Sequence, residues 1–124
     1  MRRLLFIFLT LISLTAVAQS ADKLYEEGKK FYDEKNYTAA FPKLKVAAEK
    51  GHKKAQYRLG RCYDKGHGTA KDEKLAFTWY EKSAKQGFAK AQFQLGQCYK
   101  EGEGVEKDRK KAFELFLKAA NQEN

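Results

Sequence analysis

A shift of 36 residues lays the chain onto itself. Ala55 to Ala84 falls on Ala91 to Ala120, and the coincident pairs include Gln56/Gln92, Leu59/Leu95, Gly60/Gly96, Cys62/Cys98 and Tyr63/Tyr99. Gly66/Gly102, Gly68/Gly104, Asp72/Asp108, Ala76/Ala112, Phe77/Phe113 and Ala84/Ala120 continue the series. A fixed period of this length marks a repeat array, in which each unit is one supersecondary element stacked on the next. Hydrophobic content of 43% and aromatic content of 14% exclude a disordered chain of the same period.

Each period encodes two helices. Ala55, Leu59, Cys62 and Tyr63 recur at i, i+4, i+7 and i+8, which is one helical face. Gly66 stands where a left-handed residue ends such a helix, and Gly68 supplies a second permissive backbone position. Asp72 is placed to cap the next helix. That helix carries a stripe of Ala76, Tyr80, Ser83 and Ala84, flanked by Phe77 and Trp79, and Gly87 ends it. A divergent unit precedes these two. Gly28 and Phe31 match Gly60 and Tyr63 at an offset of 32, and Ala40, Phe41, Ala48 and Gly51 match Ala76, Phe77, Ala84 and Gly87 at 36. The inter-helix loop of this first unit, Asp33 to Asn36, is therefore four residues shorter. No such unit buries its apolar face alone, and three stacked units are about the minimum for stability. The expectation is an all-α solenoid of antiparallel helix pairs, about six helices, with units at 19–51, 52–87 and 88–124. Pro42 falls inside the second helix of the first unit, where it removes a donor at a cost of about 3 kcal/mol. A later helix start or a kink would relieve it, and the sequence leaves both open.

The run Ala55 to Gly87, A-Q-Y-R-L-G-R-C-Y-D-K-G-H-G-T-A-K-D followed by E-K-L-A-F-T-W-Y-E-K-S-A-K-Q-G, resembles a Sel-1-like repeat. The second copy, with L-G-Q-C-Y-K-E-G-E-G-V-E-K-D and K-A-F-E-L-F-L-K-A-A, resembles it too. The first unit, with its short Asn36-Tyr37 turn, is closer to an ordinary tetratricopeptide repeat. The resemblance implies an α-solenoid used for protein–protein contact and names no partner, because family members share packing residues and differ at contact residues. The second copy departs from the pattern at Glu123, where a closing glycine is expected.

Residues 1–18 read as an export signal. Arg2 and Arg3 form a positive start, Leu4 to Leu14 is apolar apart from Thr10 and Ser13, and Ala16 and Ala18 give the small-x-small cleavage pattern. The apolar run is shorter than the ~20 residues of a membrane span. No stable membrane insertion is expected once the signal is cut. Cleavage after Ala18 removes two arginines and takes the formal charge from +9 to +7. The expected location is periplasmic or secreted. Nucleic acid is not an expected partner there, whereas acidic proteins or anionic envelope polymers are.

The chemistry-bearing residues are few. Cys62 and Cys98 occupy the same position on equivalent helices. Such helices lie about 8–10 Å apart, beyond the ~7 Å that a disulfide spans, so two buried, reduced thiols are expected and no disulfide. Cysteine-rich relatives pair one thiol from each helix of a unit, and this chain lacks the second set. Some of those relatives are labelled as β-lactam hydrolases, which makes that activity an alternative reading. Ser20 and Ser83 are the serines left after cleavage, and neither lies in a nucleophile-elbow motif. His52, His67, Cys62 and Cys98 do not show metal-ligand spacing, and both histidines are expected to be solvated in connecting segments. Gly66-His67-Gly68 lacks the strand that a phosphate loop requires. No catalytic set, metal or cofactor is expected.

Two binding surfaces are expected instead. The first helices of stacked units line the inner face of a curved array. Tyr25, Tyr57 and Phe93 hold equivalent positions on them, as do Lys29, Arg61 and Gln97, with Arg58 and Gln94 alongside. Aromatic and arginine side chains are favoured interface anchors, although the aromatics have an alternative role in packing between helices. The other surface is the final helix, where Phe113 and Leu117 add apolar area; Leu117 replaces Glu81 of the preceding unit. Partner docking or self-association is expected there.

Overall fold

The computed structural model describes residues 20–122, so the expected export signal lies outside the described residues. Among the described residues six helices follow one another. The described part of α1 spans 20–33. It is followed by α2 (Tyr37–Glu49), α3 (Lys53–Lys65), α4 (Glu73–Lys85), α5 (Ala89–Glu101) and α6 (Arg109–Gln122). Consecutive helices pack on one another as an all-α solenoid, with no strand among the described residues. Partners within a unit run antiparallel: Ser83 near the end of α4 donates from Oγ to the Lys53 carbonyl at the start of α3, 2.7 Å away.

The helix ends follow from local chemistry. Asn36, Asp72 and Asp108 each accept a backbone N–H three residues on, at 3.4, 3.1 and 3.0 Å. Gly66 and Gly102 close α3 and α5 in the left-handed region, both at φ 72°. The longer loops of the second and third units then do a job the short Asp33–Asn36 turn does not. A Cβ on Gly68 would strike the Tyr37 carbonyl and come within 2.8 Å of Phe41. One on Gly104 would strike the Glu73 carbonyl and come within 3.0 Å of Phe77. Each loop therefore seats on the start of the second helix of the unit before it.

The core is the pair of stripes read from the sequence. Ala55, Leu59, Cys62 and Tyr63 are buried, as are Ala76, Tyr80, Ser83 and Ala84. A glycine on each first helix admits a large side chain from its partner. A Cβ on Gly60 would lie 2.6 Å from the Tyr80 ring, and one on Gly96 would lie 2.7 Å from Phe116. Cys62 and Cys98 are both buried. Pro42 sits inside α2, which begins at Tyr37, so a later start of the helix is overturned. Pro42 and Thr38 are both exposed, so water can satisfy the Thr38 carbonyl that the proline leaves without a helical donor.

Candidate binding surface

A repeated polar clamp fixes the spacing between units. Gln56, buried on α3, donates from Nε2 to the Ala48 carbonyl at the end of α2, 3.2 Å away. Its Oε1 accepts from Gln86 Nε2 at 2.9 Å. Gln92 and Gln122 repeat the device, Gln92 donating to the Ala84 carbonyl at 3.4 Å and accepting from Gln122 at 2.6 Å. The partners Gln86 and Gln122 are spaced by the same 36 residues, a signal that the identities between Ala55–Ala84 and Ala91–Ala120 did not extend to.

The expected inner column divides into structural and available members. Tyr25 is only 6% exposed and stacks on His52 with ring centroids 4.4 Å apart. Lys29 pairs with Asp33 at 3.2 Å. Arg58 reaches the same carboxylate at 3.3 Å and lies over the Tyr32 ring. Arg61 donates from Nε to Tyr32 Oη at 3.5 Å. Arg58 and Arg61 join the first unit to the second, whereas the Lys29 pair lies within α1. Tyr57, Phe93 and Gln94 are different, because they line one groove of about 580 Å³ with Lys90, Phe116 and Ala119. Tyr57 leans on Phe88, and Phe93, 45% exposed, leans on Phe116 with centroids 5.3 Å apart. Gln94 and Gln97 also border a polar groove of about 500 Å³ with Asp64, Lys71, Glu101 and Glu103. Burial first, then Asp64, Glu73 and Glu101, push the Glu103 carboxyl above its ordinary range.

Both histidines depart from the solvated role expected of them. His52 caps α3, with Nδ1 accepting from the Ala55 N–H at 3.2 Å. Its Nε2 lies 3.2 Å from Asp22 Oδ1. His67 stacks on Tyr37 with centroids 3.8 Å apart and bonds through Nδ1 to Tyr32 Oη at 3.1 Å. Desolvation is the leading cause that holds both imidazoles below the usual value. The aromatic rings stacked on them come from the preceding unit and are distant in sequence. Burial likewise pushes the Cys62 and Cys98 thiols up to about 12. Among the described residues no group of three or more His, Cys, Asp or Glu is placed to hold a metal ion.

At the far end of the array, Phe113 is 66% and Leu117 51% exposed. Phe113 and Phe116 line a groove of about 480 Å³ with Lys100, Lys107 and Arg109.

The Sel1 repeat family model matches residues 53–88 and 89–124, two consecutive copies that cover more than half of the chain. The chain belongs to the Sel1 repeat family. Solved Sel1 structures superpose on it closely. A Sel1 repeat protein from Oxalobacter formigenes matches at 39% identity and TM-score 0.77, over 82% of this chain and 40% of that one. A protective antigen of uropathogenic Escherichia coli strains, described as displaying an SLR fold, matches at 37% identity and TM-score 0.78, over 81% and 22%. Cysteine rich protein B of Helicobacter pylori, at 24% identity and TM-score 0.68 over 90% of both chains, shares the fold. DAP3-binding cell death enhancer 1 of Rattus norvegicus is 49% identical over 37 residues, 30% of this chain and 7% of that protein. The chain thus spans less than half the length of several proteins it matches. Sel1 repeats generally serve as scaffolds for protein–protein contact. Among the described residues of this Sel1 protein, no helix is long and apolar enough to cross a membrane.

Proposed function

We propose that this Sel1 repeat protein is an exported, non-enzymatic adaptor that holds a protein or peptide partner in the groove between α3, α5 and α6. The observation that carries this reading is Phe93. It projects beside Tyr57 and Gln94 with nearly half its surface open, whereas Tyr25, Arg58 and Arg61 of the same column are committed to internal contacts. Aromatic side chains that flank a groove are the usual anchors of recognition. The β-lactam hydrolase alternative is less favoured, because neither Ser20 nor Ser83 lies in a nucleophile-elbow motif and the Ser83 hydroxyl is buried against the Lys53 carbonyl. Export is supported by Arg2, Arg3, the apolar run Leu4 to Leu14 and the Ala16/Ala18 pair. Exported protein should begin at Gln19 by intact mass, and a mass that retains residues 1–18 would count against cleavage.

The central test is capture of partners from envelope and secreted fractions by wild type and Phe93→Asp, compared by quantitative mass spectrometry. Partners of the groove should fall about tenfold or more with Phe93→Asp while helicity is unchanged. Equal recovery would remove the groove from the mechanism. A second surface is favoured by the exposure of Phe113 and Leu117, which make the outer face of α6 a contact site for a partner or for another copy of the chain.

A further inference from the structure

The outer stripe of α6 can be interpreted through its two internal copies. Phe113, Leu117 and Ala120 are exposed at i, i+4 and i+7. The matching stripes are Phe41, Lys45 and Ala48 on α2, and Phe77, Glu81 and Ala84 on α4. In both, the phenylalanine is met by the next first helix and the alanine is buried, while Lys45 stays exposed. Tyr63 of α3 meets Phe41 edge-on at 5.7 Å and 90°, and Tyr99 of α5 meets Phe77 at 5.4 Å and 85°. On α6 the middle position changes from a charged residue to leucine in the copy that has no cover among the described residues. The stripe therefore has the shape of a seat for a helix that presents an aromatic ring to Phe113.

Charge narrows the occupant. Lys100, Lys107 and Arg109 line the groove beside Phe113, with Glu101 the single acid in that lining. Lys110 is exposed in the same first turn of α6. The face of α1 that a second copy would offer head-to-tail holds Lys23, Glu27 and Lys30 where α3 has Ala55, Leu59 and Cys62. That face offers Phe31 at the position of Tyr63, but its other three positions are charged and bring two lysines toward Arg109 and Lys110, so charge disfavours a second copy.

We propose that the outer face of α6 binds an acidic amphipathic helix of a partner protein, seated as α5 is seated on α4. The proposal rests on α6 being a contact surface and adds the identity of what it contacts. The test uses the full chain and a stapled helical peptide copying Ala89–Glu101, with Lys90→Glu and Lys100→Glu, the staple placed away from Tyr99. Fluorescence polarisation should show binding that weakens about tenfold with Phe113→Asp, with Leu117→Glu, or with Tyr99→Ala in the peptide. The unmodified, more basic peptide should bind more weakly, and the difference should shrink at high salt. Equal binding of acidic and basic peptides, or no binding by a peptide of proven helicity, overturns the proposal. Sedimentation that shows a dimer abolished by Phe113→Asp would keep α6 as a contact surface and replace the acidic helix with a second copy. If Phe113→Asp changes neither binding nor assembly, the contact surface falls as well.

Discussion

His52 does two jobs with one ring: its Nδ1 caps α3 and its plane stacks on Tyr25 of α1. Accepting at Nδ1 requires that nitrogen to be unprotonated. Burial, the leading cause, holds the imidazole below its ordinary 6.5, against the opposing pull of Asp22. The folded chain thus binds fewer protons at this site than the unfolded chain. Its contribution is present above pH 6.5 and is lost as pH falls through the depressed folded value. His67, shifted the same way, adds to the trend. Melting temperature should fall between pH 8 and pH 5, and His52→Asn, which keeps a cap acceptor, should flatten the curve. His52→Ala should cost about 1 kcal/mol at pH 8. An unchanged pH profile in His52→Asn would show that the ring does not titrate with folding. The sequence showed both histidines as residues of connecting segments but not their surroundings. The caps Asp72 and Asp108 were legible because they act within three residues, whereas Tyr25 and Tyr37 act across units.

At the level of helices, the 36-residue period made α3 to α6 legible, since face, cap and stop all repeat in step. Arg58 and Arg61 have internal partners that the sequence did not reveal. An arginine on a first helix reads as a contact residue, but Asp33 and Tyr32 of the first unit lie within its reach. Tyr57, Phe93 and Gln94 come to line one groove because their spacing on equivalent helices is preserved. The glutamine clamp went partly unseen because its second member lies beyond the stretch of dense identity. Gln92 is 1% exposed, and its amide joins the end of α4 to the end of α6. Gln92→Ala leaves the Ala84 carbonyl and the Gln122 amide without this partner, and should cost about 1–3 kcal/mol by urea unfolding. Gln122→Ala should cost less, because Gln122 is exposed. Equal, negligible losses would demote the clamp to a surface contact.

Across the whole molecule, stability follows from nearest-neighbour stacking. The α3–α4 pair has packed helices on both sides, and α6 has one on a single side among the described residues. Native-state hydrogen exchange should therefore show greatest protection in α3 and α4 and least in the outer turns of α6. Uniform protection across all helices would indicate that the array opens only as a single block.

The loops that carry Gly68 and Gly104 seat on the unit before their own. That gives the array a polarity like overlapping roof tiles, each pinned by the one laid after it. Duplicating a unit at the carboxyl side supplies the new tile with its own pin. Splicing a foreign unit into the middle would have to satisfy two fasteners at once, so chimeras should be cut at the loops' landing places, near Tyr37 and Glu73, rather than between the units as the period alone would divide them.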